Sequence, residues 1–422
     1  MSGDDWARSR PDLEPAECSR TSAASHRQLR DVREHAEFLA ALTALRSDGA
    51  DPAVRDEVIW NLLTEPGDGV AGALIDALGA TEALDIAFGG ADGALLEDRA
   101  GAERPAAAAL REGRKRWSAR LDAGQLLAPL LIAARTGARL VLPTDPEWPA
   151  SLADLGAHAP LALWARGDVG ALSRTGVAIV GARAASAYGE HVAAEFASEL
   201  AADGLVVFSG GAYGIDGTAH RAALGAGGST VAVLAGGIDR PYPSGHAQLF
   251  ERIVSARAGA VVSEVACGAA PTKWRFLERN RLISALSAAT VVVEAGQRSG
   301  TLNTAGHAAA LGRPLGAVPG PITSTSSAGC HRLLRDYDAR CVTSTADVRE
   351  LLGQESAQPV PVTEDPDMVR LGDALNRRVA RDSAELARRS GLSRERVEAL
   401  LGILELDGSA VRSEQGWRSV VM

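Results

Sequence analysis

The sequence predicts an α/β fold built on an extended Rossmann-like parallel sheet, and three observations carry that reading. Between residues 139 and 353, short apolar runs alternate with helix-length segments. The runs are apolar throughout rather than at every second residue, the pattern of strands buried on both faces of a parallel sheet. Glycines and hydroxyl residues cluster just after several runs, where open α/β sheets hold their ligands.

The strand signals are Leu140–Leu142, Leu161–Trp164, Val177–Gly181, Leu205–Ser209, Thr230–Gly236, Ala260–Val265, Thr290–Ala295, Pro314–Val318 and Arg340–Thr343. Between them, Gly189–Asp203, Ile215–Gly225, Ser244–Arg257, Arg279–Ser287 and Thr301–Leu311 have helical length and spacing. Residues 1–30 are polar and without a period, and read as a disordered N-terminus. Residues 31–135 are rich in alanine and leucine with glycine breaks, and read as a helical domain. Residues 354–367, with their prolines and acidic side chains, read as a linker. Residues 368–422 read as a winged helix: helices at Ser383–Arg389 and Ser393–Leu401 with Ser383 and Ser393 as N-caps, a strand at Leu404–Arg412 and a closing ribbon near Trp417.

Composition excludes several functions. The chain has 422 residues, 46% hydrophobic and 23% charged, with 44 basic against 53 acidic residues and a net charge of -9. An anionic partner must therefore meet a local patch rather than a basic coat. Lys115 and Lys273 are the only lysines, and neither stands in the G-x-x-x-x-G-K-[ST] frame of a P-loop ATPase. The four cysteines form no C-x-x-C pair and the eight histidines no ligand spacing, so no metal and no disulfide framework are expected. No apolar run reaches membrane-spanning length and no signal peptide is visible, so a cytoplasmic protein is expected.

Three glycine or hydroxyl loops follow strand signals: Gly181–Ser186 with Arg183, Ser209–Asp216, and Arg298–Leu302. Free N–H groups at a helix start favour an anion, so a phosphate would fit Ser209–Gly214, although tight turns alone would also explain its glycines. The spacing is not that of a nicotinamide site, and no cofactor is expected. The stretch Lys273–Arg281 packs four cations, Lys273, Arg275, Arg279 and Arg281, and two aromatics, Trp274 and Phe276, into nine residues. Interleaved cations and aromatics suit single-stranded nucleic acid, where phosphates are neutralised and bases stack; a solvated charged face is the plainer alternative. Asp216 and His220 lie four apart and could do acid–base work, or could cap and pack. Glu264 and Glu294 end strands, and no nucleophile is paired to a base.

Together these residues resemble the DprA (Smf, DNA-processing protein A) family. The similarity rests on Ser209–Asp216 with Ala219 and His220, on Val233–Asp239 with Tyr242 and Pro243, and on Ser263-Glu264. It continues through Phe276–Ser284, Val293–Ala295, Ser299–Ala305 and Ala317–Gly320. Tyr213, Leu277, Asn303 and His331 depart from the family's common residues. The resemblance implies a dimeric, non-enzymatic recombination mediator that binds single-stranded DNA and loads the RecA recombinase, in natural transformation or recombination. It implies DNA contacts at Arg183, at Ser209, Gly210, Gly211 and Gly214, at Lys273, Phe276, Arg279, Asn280 and Arg281, and at Ser299 and Gly300. The alternative from another class is a phosphoribohydrolase-like enzyme on the same type of fold, with Glu294 over the sugar. The C-terminal domain is nearly balanced in charge, which favours a protein-interaction or regulatory role over duplex reading.

Overall fold

The computed structural model describes residues 15–89, 105–354, 365–406, 408–413 and 415–420. They form two compact units, residues up to Gln354 and those from Glu355 onward. Residues 1–14 of the expected disordered terminus, and 355–364 of the expected linker, lie outside the described residues.

A nine-stranded sheet organises the first unit. Its strands are β1 (Arg139–Val141), β2 (Leu163–Gly167), β3 (Gly176–Val180), β4 (Val206–Ser209), β5 (Ser229–Val233), β6 (Ala260–Ser263), β7 (Ala289–Val292), β8 (Leu315–Ala317) and β9 (Arg340–Cys341). The spatial order is β1-β2-β6-β5-β4-β3-β7-β8-β9. Strands β3 to β9 pair in parallel, while β2 runs antiparallel to both β1 and β6. The chain starts in the middle at β3, steps outward to β6, then returns to the other side of β3 with β7. Ligand crevices of open α/β sheets form at such a reversal. Every residue of β3 to β7 is buried, as their unbroken apolar runs require.

Among the described residues, seven helices precede the sheet: α1 (Pro15–Glu34), α2 (Ala36–Leu45), α3 (Pro52–Leu63), α4 (Gly69–Leu78), α5 (Ala80–Gly89), α6 (Ala107–Ser118) and α7 (Ala123–Thr136). Helix α1 corrects the expected disorder of residues 15–30. Its C-terminal half buries Leu29 and Val32, and Arg33 donates to the fully buried Asp56 of α3 at 2.7 Å. A polar composition hid an amphipathic end that needs tertiary partners to pay for its ordering. The boundary expected at 135–139 is crossed by packing: one apolar core joins Trp60, Trp117 and Leu130 to Trp164, Ala232 and Phe250.

Within the sheet region, α8 (Ala187–Ala202), α9 (Ile215–Gly225), α10 (Ala247–Ser255), α11 (Lys273–Leu286), α12 (Thr301–Ala310), α13 (Ala328–Asp336) and α14 (Thr345–Leu351) connect the strands. Helix α11 starts six residues before the expected Arg279. Thr272 caps it by accepting the Arg275 N–H at 3.2 Å, so the cation-and-aromatic stretch is helix rather than loop. No helix among the described residues is long and apolar enough to cross a membrane.

The second unit consists of α15 (Pro366–Ala374), α16 (Ser383–Ser390), α17 (Arg394–Leu406) and the hairpin β10 (Ala410–Ser413) and β11 (Gly416–Ser419) around Leu371, Leu386, Val397, Leu400 and Leu401. Asp382, not Ser383, caps α16. Leu404 packs on this core as part of α17, so the expected strand Leu404–Arg412 begins only at Ala410.

Candidate nucleic-acid interface

Helix α11 presents two different faces. Phe276, Arg279, Asn280 and Ile283 recur at three- and four-residue spacing and line a cavity of about 710 Å³. Arg275, Glu278 and Arg281 turn the other way, toward the helical region. The cavity opens beyond the C-terminal ends of β3, β4, β5 and β7, and Arg183, Tyr242, Lys273, Ser299 and Gly300 also line it.

Phe276 is the residue of this lining with the most ring contacts. The Arg183 guanidinium carbon lies 5.0 Å from the ring centroid and that of Arg279 lies 5.9 Å away, both within cation–π range. Tyr242 meets the same ring edge-on, 5.5 Å between centroids. Arg183 and Lys273 are exposed and make no hydrogen bond or ion pair among the described residues. Two open cations therefore flank an aromatic ring in a crevice, an arrangement that can neutralise phosphates and stack a base.

The glycine loop after β4 is built differently from the expectation. The carboxylate of Asp216, in the first turn of α9, accepts the N–H of Gly210 at 3.1 Å and of Ala212 at 3.3 Å. Two of the donors expected to hold a phosphate are thus occupied by the protein's own anion. Ser209 is buried and donates to the Ile179 carbonyl at 2.7 Å. Arg279 is buried as well, donating to the carbonyls of Gly210, at 2.7 Å, and of Val233. Burial pushes the Asp216 carboxyl up and the Arg279 guanidinium down to about 10, which still leaves the guanidinium charged at neutral pH.

Ser209, Gly210, Gly211 and Gly214 thus support the crevice without lining it. A Cβ on Gly210 would lie 2.6 Å from the Arg279 guanidinium, and one on Gly214, at φ +74°, would lie 2.3 Å from the Ala182 carbonyl oxygen. Those close approaches lock the loop after β4 against Arg279 and against the loop that carries Arg183.

Asn280 donates to Asn303 at 3.1 Å, and Thr301 donates to the Gly181 carbonyl at 3.0 Å, tying the Ser299–Gly300 loop to α11 and β3. Arg281, another predicted contact, also lies outside the crevice. It is buried on the opposite face of α11 and bonded to Glu264, because a carboxylate ending β6 needed a cation there. Arg275 likewise pairs with Glu65 at 2.9 Å. Of the cations in the stretch, Lys273 alone reaches solvent unpaired.

The acid–base candidates are held inside the fold. Glu294 is buried and accepts from the Ser186 N–H at 2.9 Å, the Ser186 hydroxyl at 2.6 Å and the Ser326 hydroxyl at 3.0 Å. His220 is buried against Thr230 at 2.7 Å, and burial lowers its pKa to about 3. Tyr242 lines the crevice yet stood outside the predicted contacts; its signals in the sequence were its place between two prolines and among the residues that carry the family resemblance.

An open, mostly parallel sheet with a cation-and-aromatic crevice at its reversal point defines a Rossmann-like α/β protein. A sequence model of the DNA recombination-mediator protein A family matches residues 139–353. The chain is 42% identical over 389 residues to the putative DNA processing protein DprA of Mycobacterium tuberculosis, covering 87% of this chain and 95% of that one. It is 42% identical over 193 residues to protein Smf of Escherichia coli, covering 46% of this chain and 51% of that one. The X-ray structure of DNA processing protein A from Streptococcus pneumoniae is 30% identical with a TM-score of 0.54, covering 70% of this chain and 97% of that one. The chain belongs to the DNA recombination-mediator protein A family, the DprA/Smf DNA-processing proteins.

Proposed function

We propose that this protein binds single-stranded DNA in the crevice beside α11 and delivers it to RecA, acting as a homodimeric cytoplasmic mediator rather than as an enzyme. The observation that carries the reading is Phe276, which lines the crevice with Arg183 and Tyr242 against its ring. Lys273 and Arg183 take phosphates, Phe276 stacks on a base, and Asn280, Ser299 and Gly300 shape the wall. Arg279 and the Ser209–Gly214 loop act from behind, holding Phe276 and Arg183 in register.

Single strands fit this site better than duplex because a stacked base must leave its pair. Fluorescence anisotropy with single- and double-stranded oligonucleotides tests the reading. Tighter, salt-sensitive binding of the single strand is expected, and Phe276→Ala should weaken it by about 1–3 kcal/mol. Equal affinity for both forms, untouched by Phe276→Ala, would overturn it. RecA delivery is checked by whether the protein accelerates RecA filament growth on a single strand already covered by a competing binding protein.

The three hydrogen bonds that the buried Glu294 accepts from Ser186 and Ser326 count against a phosphoribohydrolase. Incubation with nucleoside monophosphates is expected to release no free base.

A further inference from the structure

The four exposed large aromatics among the described residues are Tyr188, Tyr213, Tyr242 and Trp274. They follow β3, β4, β5 and β6 respectively, and those strands are consecutive neighbours in the sheet. Loops leaving adjacent parallel strands emerge side by side, about 4.8 Å apart at the strands themselves. The aromatics therefore belong to neighbouring connections at one edge of the sheet, the edge that opens into the crevice. Tyr188 donates its hydroxyl to the Pro319 carbonyl at 2.9 Å.

Trp274 is the informative member. It is 57% exposed, whereas Trp60, Trp117 and Trp164 are fully buried. Tryptophan is costly to leave in water, and it sits directly beside Lys273 on the first turn of α11. Tyr242 is 51% exposed with Arg240 close by in its loop, and Tyr213 is 50% exposed with its ring braced edge-on by His246 at 4.8 Å.

We infer that Trp274, Tyr242 and Tyr213 form a row of base-stacking platforms that carries a single strand several nucleotides beyond the Phe276 crevice. The occupant is a flexible single-stranded polynucleotide, since each base offers a π-face and the neighbouring cations, Lys273 and Arg240, suit its phosphates. This inference rests on the proposed single-strand reading and extends its footprint; the aromatic ring that packs on Phe276 is that of Tyr242.

The test compares oligothymidylates of about 4 and about 16 nucleotides, the range that single-strand-binding modules cover. In the unaltered protein the longer strand should bind more tightly than its extra length alone explains. Trp274→Ala and Tyr213→Ala should each lower affinity for the long strand roughly fivefold or more while leaving the short strand within about twofold. Trp274→Phe should restore most of the loss, and replacing the outer bases of the long strand by abasic sites should erase the difference between Trp274→Ala and the unaltered protein. Unchanged long-strand affinity in both alanine variants, with short-strand binding still dependent on Phe276, would overturn the row and leave the crevice intact. Failure of the unaltered protein to bind either length would instead overturn the single-strand reading itself.

Discussion

Nη2 of Arg281 donates to both carboxylate oxygens of Glu264 at 2.7 Å, and both side chains are buried. Glu264 also accepts the Gly67 N–H at 3.1 Å, so this pair links α11, the end of β6 and the helical region. Arg281→Ala would leave a buried carboxylate without its cation, and a loss of about 3–5 kcal/mol in stability is expected. Urea unfolding measures it. Adding Glu264→Gln should recover part of the loss, which a surface DNA contact would not do.

Arg183 differs from Arg281 in being open to solvent. Its contribution to DNA binding should appear in the salt dependence: Arg183→Ala is expected to flatten the slope of log K against log salt by about 0.7. Phe276→Ala should weaken binding with the slope unchanged, because stacking releases no counterions. Titrations at several salt concentrations separate the two.

Burial holds the His220 pKa near 3, well below its ordinary 6.5. The unfolded chain therefore takes up the proton first, and the neutral imidazole favours the folded state fully only above about pH 6.5. Stability should fall as pH drops from about 6.5 toward 3, by up to about 1.4 kcal/mol per pH unit from this group. A His220→Gln variant should show a shallower decline in melting temperature over the same window. An unchanged decline would remove His220 from the effect.

Gly214 adopts φ +74° with the Ala182 carbonyl oxygen 2.3 Å from where a Cβ would stand. Gly214→Ala is expected to cost about 1–3 kcal/mol through strain and displacement of the Arg183 loop. Thermal melting and single-strand affinity should both fall, whereas Gly225→Ala, with open space at its Cβ, should leave binding unchanged.

The second unit packs its own core around Leu371 and Leu400. A chain ending at Gln354 is expected to fold and to keep its single-strand affinity. A large loss of affinity on that truncation would move part of the DNA site into the C-terminal unit.

The sheet was legible from the sequence because its strands are buried on both faces, and burial on both faces writes itself as unbroken apolar runs such as Val177–Val180 and Val206–Phe208. The same holds for Lys273 and Phe276 of the crevice, whose residue types are rare in this chain, with two lysines and 6 phenylalanines, and for Arg183, which stands in a loop just after a strand signal. What the sequence could not express is which way a charged side chain turns. Arg275, Arg279 and Arg281 read alike along the chain, yet they end on Glu65, on the Gly210 carbonyl and on Glu264, partners 210, 69 and 17 residues away. The glycine loop shows the same limit: its N–H groups look vacant until the fold of α9 brings Asp216 beneath them. Local composition fixes where apolar surface must hide, since that depends on the chain's own periodicity. Only the tertiary structure decides which cations are neutralised inside and which stay free for a ligand, since that depends on charges brought together from distant segments.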